Sequence, residues 1–196
     1  DPNDPAFQKP SKPIGSWMDE PTARARAAQE GWSIAEDAGR GWRRVVASPK
    51  PKAIIELEAI RRLVDARYAV TAVGGGGIPV IRTPDGDLKG VEAVIDKDHA
   101  TALLARQLNA DLLVISTGVE KVCLDFGKPT QRSLDHLTLA EARKYHAQGQ
   151  FPAGSMGPKI EAIIEVLEGG GKKAVLTLPE LLEDAVAGKA GTVVER

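Results

Sequence analysis

Three lysines and a few carboxylates stand where a phosphoryl group could be handled. Lys12 lies among prolines 2, 5, 10 and 13, Lys97 is set between Asp96 and Asp98, and Lys159 follows Gly154-Ser155-Met156-Gly157-Pro158. Ammonium groups on separate loops with one organising carboxylate suit phosphoryl transfer, which needs positioning and dispersed positive charge more than a covalent nucleophile. A nearby carboxylate keeps such lysines charged and aimed. The run Gly74 to Gly77 adds backbone that can approach an anion closely.

Taken singly, each motif also has a plain structural explanation. Any tight strand-to-helix connection can need glycine, and carboxylates at a helix start are favoured by the dipole whether or not a ligand comes. A lysine in the first turn of a helix is disfavoured by about 0.3–1 kcal/mol, a sign that an anion would reverse. The pattern lacks a Gly-x-Gly-x-x-Gly opening a helix and a Gly-Lys-Ser/Thr, which argues against dinucleotide and P-loop sites. His99, His136 and His146 show no metal-ligand spacing and Cys123 has apolar neighbours, so all four read as structural and no metal ligands are assigned.

The elements that must position these residues alternate in type. Prolines deny regular helix to residues 1–18, and an extended or looped arm is expected from Phe7 to Trp17. A short helix capped by Asp19 or Glu20 should end at Gly31, with two strands, Trp32 to Glu36 and Trp42 to Ala47, joined through Asp37-Ala38-Gly39-Arg40-Gly41. These first fifty residues read as a small lobe. From residue 51 on, helix and strand alternate. Ile54, Leu57, Ile60, Leu63 and Val64 recur at helical spacing, and a strand is expected from Ala69 to Val73. Thr83-Pro84-Asp85-Gly86 reads as a turn, Val94-Ile95 as strand-like, and Asp98 as the cap of a helix with Ala100, Leu103, Leu104 and Leu108 on one face. Strands are expected at 111–116, 122–124, 174–177 and 192–194. Helices should open at the Thr138-Leu139-Ala140-Glu141 capping box, after Pro158, and at Thr177-Leu178-Pro179-Glu180. Thr117-Gly118-Val119 leaves a buried strand at the edge where open α/β sheets bind ligands.

Bulk composition narrows the partners. With 26 Lys+Arg against 27 Asp+Glu in 196 residues, no broad basic field points to nucleic acid or an anionic membrane. A single cysteine excludes an internal disulfide, and with no long apolar run the expectation is a soluble cytoplasmic protein. The opening Asp1-Pro2-Asn3-Asp4-Pro5 reads as a chain that begins in the middle of a fold.

Six stretches together carry a family likeness: Asp4-Pro5-Ala6-Phe7 with Lys12-Pro13-Ile14-Gly15, Arg43-Arg44-Val45-Val46 with Ser48-Pro49, Gly74 to Val80, Val91 to Asp98, Thr117-Gly118-Val119, and Gly154-Ser155-Met156 with Pro158-Lys159. In this order they resemble carbamate kinase, of the amino acid kinase superfamily. The resemblance implies a three-layer αβα fold with a mainly parallel sheet plus a small protruding lobe, residues 1–50 closing over the active site and 51–196 forming the nucleotide-binding core. It implies reversible phosphoryl transfer between ATP and carbamate, with carbamoyl phosphate and ADP as the other pair, Mg²⁺ accompanying the nucleotide, a role in arginine catabolism, and a homodimer. Lys97, Asp98, Lys159 and Lys12 would be catalytic. Gly74, Gly75, Gly76 and Gly77 would line the acceptor pocket, and Thr117, Gly118, Val119, Met156 and Lys159 would hold the nucleotide. Two departures stand out: the family's front third, with a Gly-Gly-Asn-Ala loop, is missing from the chain, and Cys123 stands where an aromatic residue is expected. The competing readings are a small-acid or UMP kinase-like member of the superfamily, and a non-catalytic nucleotide-binding or dimerising fragment.

Overall fold

The proline-rich opening becomes an edge strand. β1 (Lys12–Met18) pairs antiparallel with β3 (Trp42–Val46), which also pairs antiparallel with β2 (Ser33–Glu36). Pro13 is tolerated because an edge strand can leave one ladder position without a donor. Between β1 and β2, α1 (Glu20–Glu30) starts where the Asp19 carboxylate accepts the Thr22 N–H and stops at Gly31, whose φ of 69° needs no Cβ. Arginines stack on all three tryptophans here: Arg24 on Trp42, Arg26 and Arg44 on Trp32, and Arg40 and Arg43 on Trp17. These elements come from a computed structural model that describes residues 1–37, 39–152 and 154–196, so Ala38 of the expected strand connection lies outside the described residues.

Contacts group the chain into two units: Asp1–Lys52 with Ala72–Ala100, and Ala53–Thr71 with Thr101–Arg196. In the first, β4 (Val80–Arg82) and β5 (Leu88–Gly90) form a hairpin around the expected turn, closed by the Gly86 N–H on the Thr83 carbonyl at 2.9 Å. The expected strand from Ala69 to Val73 does not form. Val73 adopts φ 49° and its carbonyl accepts the Gly76 N–H at 2.8 Å, so the glycine run is entered by a turn. Val94-Ile95 is likewise no strand; only an isolated bridge links Ala93 to Ala47. An apolar run becomes a strand only where a neighbour supplies a ladder and a surface to pack on, which outweighs local propensity.

The second unit contains α2 (Leu57–Asp65) and a four-stranded sheet of order β6-β10-β11-β9, made of β6 (Leu112–Ser116), β10 (Lys173–Thr177), β11 (Thr192–Glu195) and β9 (His136–Thr138). β6 with β10 and β11 with β9 are parallel; β10 with β11 is antiparallel. Ala174, Val175, Leu176 and Thr177 are all fully buried, so side chains of both parities are covered and β10 is central. Helical cover comes from α3 (Lys97–Gln107), which starts in the first unit, α4 (Leu139–Ala147) and α5 (Met156–Glu168). Their Ala102, Ala142, Ile160, Ile163 and Leu167 join Leu113, Leu137 and Leu176 in one core. The capping box forms as expected, with Thr138 Oγ1 accepting the Glu141 N–H and the Glu141 carboxylate accepting the Thr138 N–H. Thr177 caps nothing: it ends β10, and a 3-10 turn (Pro179–Leu181) leads into α6 (Leu182–Val186). A small hairpin, β7 (Val122–Leu124) with β8 (Arg132–Leu134), completes the unit. Among the described residues no helix is long and apolar enough to cross a membrane.

Candidate functional site

Asp96 and Asp98 are the buried charged residues among those described, with 8% and 9% of their surface exposed. A buried carboxylate persists only when its charge is met, and here it is met twice over. Asp96 Oδ2 lies 2.5 Å from Lys12 Nζ, and its Oδ1 accepts the Asp98 N–H at 2.8 Å. The helix α3 is therefore capped by Asp96; Asp98, the expected cap, sits in its first turn with its carboxylate 3.7 Å from Lys97 Nζ. Burial opposes ionisation of Asp96, but the Lys12 hydrogen bond and charge, the Asp98 N–H and the nearby His99 outweigh it and hold its carboxyl below the usual value.

Backbone fixes this cluster from two sides. Lys12 sits in register with Val46 on β1, and the Val94 N–H donates to the Ala47 carbonyl at 2.9 Å, which leads the chain into Asp96. Beneath that segment passes the glycine run. Gly76 has φ 94°, and a Cβ there would lie 2.0 Å from the Ile95 carbonyl oxygen, so only glycine fits. Gly74 and Gly75 have open space around the Cβ position, and Gly77 takes φ 85°. One member of the run is thus demanded by packing and one by backbone conformation.

In the second unit a cavity of about 220 Å³ opens where the parallel strands end. Thr117, Gly118, Val119, Met156 and Lys159, five residues expected from sequence to act together, all line it. The Thr117 N–H continues the β6–β10 ladder by donating to the Thr177 carbonyl at 2.9 Å, which places the following Gly118 and Val119 at the rim. Across the cavity stands the start of α5. Its amides offer less to an anion than the sequence implied, because the Gly157 N–H is taken by the Pro152 carbonyl at 2.9 Å and Pro158 has none. Lys159 is then the cationic group that the helix start brings to the cavity.

The cavity also has walls that sequence reasoning missed. Phe126 and Phe151 line it, as does Lys121. Cys123, the position where an aromatic residue was expected, lines it too: strand side chains alternate, so Val122 and Leu124 are buried while Cys123 turns to the other side. Its Sγ lies 3.5 Å from Ser133 Oγ. Lys121 is held by Asp135 at 2.6 Å, a hydrogen bond that raises its pKa. Phe126 could have been noticed, since an aromatic residue in a Gly-Lys-Pro loop has no core to join, and it is 62% exposed.

Comparison with known proteins settles the lineage. The model of the amino acid kinase family matches residues 21–177. The chain belongs to that family. An Escherichia coli carbamate kinase-like protein is 53% identical over 98% of the chain and 61% of its own length. A carbamate kinase of Thermococcus kodakarensis is 49% identical over the whole chain and 62% of its length. The solved structure of Giardia lamblia carbamate kinase bound to AMP-PNP superposes with a TM-score of 0.87 at 44% identity, covering all of the chain and 62% of that protein. The chain thus has the α/β amino acid kinase fold and spans about 61% of the curated relatives' length. The catalytic lysines of the sequence reading divide between the units, with Lys12 and Lys97 in the first and Lys159 in the second.

Proposed function

We propose that this amino acid kinase family chain belongs to a phosphotransferase that moves a phosphoryl group between ATP and carbamate, making ATP from ADP and carbamoyl phosphate in the reverse direction. The observation that carries this reading is the cavity where Thr117, Gly118, Val119, Met156 and Lys159 meet at the carboxyl ends of parallel strands. It has apolar walls for a base and a lysine for phosphate, and α/β sheets of this kind bind ligands at that edge. The names and identities of the relatives point to carbamate as the acceptor.

Under this reading Lys159 holds nucleotide phosphate, Lys12 and Lys97 stabilise charge on the transferred phosphoryl, Asp98 orients them, and Gly74 to Gly77 line the acceptor side. Residues 1–50 act as the closing lobe and 51–196 as the nucleotide-binding core. Mg²⁺ enters with the nucleotide as part of the substrate. Among the described residues no three His, Cys, Asp or Glu side chains gather as a cage, and an ion carried on phosphates needs only one or two carboxylates and water. A cytoplasmic homodimer working in arginine catabolism completes the proposal.

The test is ATP formation by the purified chain from ADP with carbamoyl phosphate, acetyl phosphate and other acyl phosphates. Turnover restricted to carbamoyl phosphate supports the proposal, and preference for another acyl phosphate moves it to a small-acid kinase. The cavity with its apolar walls and lysine also supports one second reading, nucleotide binding without turnover. Binding of ADP without ATP formation would establish that reading.

A further inference from the structure

We propose that Asp96 is a positioning residue, whose single carboxylate divides its two oxygens between the Lys12 ammonium and the first turn of α3 and so sets Lys12 and Lys97 against one another. The inference rests on the phosphotransfer reading for its purpose, but its geometry stands alone. Oδ2 meets Lys12 Nζ at 2.5 Å and Oδ1 accepts the Asp98 N–H at 2.8 Å. Lys97 is the residue between, its ammonium 3.7 Å from the Asp98 carboxylate. A long lysine side chain on β1 is thereby tied to a helix 84 residues further along the chain.

Stability alone is a poor reason for this arrangement. Withdrawing a carboxylate from water costs several kcal/mol, and well-packed apolar side chains commonly stabilise as well or better. The local structure nevertheless goes to lengths to hold Asp96 in place: the Ala47–Val94 hydrogen bond on one side and the obligatory Gly76 beneath Ile95 on the other. The Lys12 side chain keeps 36% of its surface exposed while Asp96 keeps 11%. An ammonium has three N–H donors and Asp96 engages one, so a phosphoryl oxygen can join Lys12 without breaking the pair. The carboxylate directs the lysine and leaves its outer face for the substrate.

Charge gives the proposal a signature that a structural role lacks. Asp96 and Asp98 balance Lys12 and Lys97, so removing the charge of Asp96 leaves the cluster net positive. Asp96→Asn keeps an oxygen for the Asp98 N–H and loses the ion pair; Asp96→Ala loses both. Under the proposal Asp96→Asn binds carbamoyl phosphate at least as tightly while kcat falls about 10²-fold, the scale of a misplacement near 1 Å. Combined with Lys12→Ala, it adds no further loss to that of Lys12→Ala alone.

The experiment uses the 196-residue chain as wild type, Asp96→Asn, Asp96→Ala, Lys12→Ala and the Asp96→Asn/Lys12→Ala double variant, and has two arms. In the first, nitrogen-15 spectra of the lysine ammonium groups and amide hydrogen exchange are recorded. The expected result is a Lys12 ammonium signal displaced in Asp96→Asn with Asp98 amide protection kept, and protection lost in Asp96→Ala. In the second, kcat and KM for carbamoyl phosphate with ADP are measured, with the split above expected. A Lys12 signal unchanged in Asp96→Asn overturns the proposal, as does a kcat within twofold of wild type with only thermal stability lowered. If the wild-type chain makes no ATP, the phosphotransfer reading fails by itself, and the ammonium spectrum decides the case of Asp96.

Discussion

The two units keep different things from water. Among the described residues, the buried apolar side chains of the first unit are Ala23, Val45, Ala47 and Ala100, all small, and the same unit buries Asp96 and Asp98. The second buries Leu137, Ile160, Ile163, Leu167 and Leu176, and its buried polar residues are two threonines. Directional contacts hold the first unit together: ion pairs, Arg–Trp stacks and a cap. Packing volume holds the second. Substitutions should therefore act by different routes in the two, and one lysine should behave unlike the core around it.

The largest contrast is expected inside the second unit. Lys159→Ala should lower turnover by about 10²–10³-fold, the scale seen when one preorganised charge-stabilising group is removed. Thermal unfolding should hardly move, because Lys159 lines a cavity and not the core. Leu176→Ala should do the opposite, costing about 2–5 kcal/mol in urea unfolding, since Leu176 is fully buried on the central strand. Matching losses of activity and stability in both variants would make Lys159 merely structural.

Next in size is Gly76→Ala in the first unit. The new Cβ would collide with the Ile95 carbonyl and the residue would be held at φ 94°, a strain of about 1–3 kcal/mol before any rearrangement. Amide exchange should quicken first along 93–98, next to the displaced carbonyl, while β10 amides keep their protection. Uniform loss of protection across both units would show that they unfold as one and remove the distinction drawn above.

What could be read from the sequence follows the same division. Helices with strong local signals were legible almost to the residue: the Asp19 cap and Gly31 stop of α1, the capping box of α4, and the apolar side of α5. Each is written in a few adjacent residues. Strands were legible where an apolar run finds a ladder, as at β6 and β10, and failed at 69–73, where the chain turns into the glycine run instead. Of the cavity-lining motif residues, the strand end at Thr117-Gly118-Val119 and Lys159 at a helix start could be noticed from position alone, while their grouping with Met156 came from the family resemblance. Asp96 was visible as one of two carboxylates around Lys97, but the pairing that distinguishes it from Asp98 reaches back to Lys12, and no local spacing encodes such a contact.

The smallest expected effect sharpens the contrast through pH. Lys12 on β1, the Asp98 N–H and His99 on α3 together hold the Asp96 carboxyl below its ordinary 3.8 against the opposing effect of burial. A carboxyl depressed in the folded state gives its full stabilisation above its unfolded value and loses it as the pH falls through the folded one. Wild type should therefore lose part of its advantage over Asp96→Asn as the pH drops from neutral past 3.8, read as the difference between their urea midpoints. Other depressed carboxyls, such as Asp111 beside Lys172 and Glu141 in the capping box, shift both proteins alike and cancel in that difference. Leu176→Ala should run parallel to wild type at every pH, because no proton is bound or released where it acts. A pH-independent gap between wild type and Asp96→Asn would mean that the carboxylate contributes shape and not charge, and the first unit would then be held by packing just as the second is.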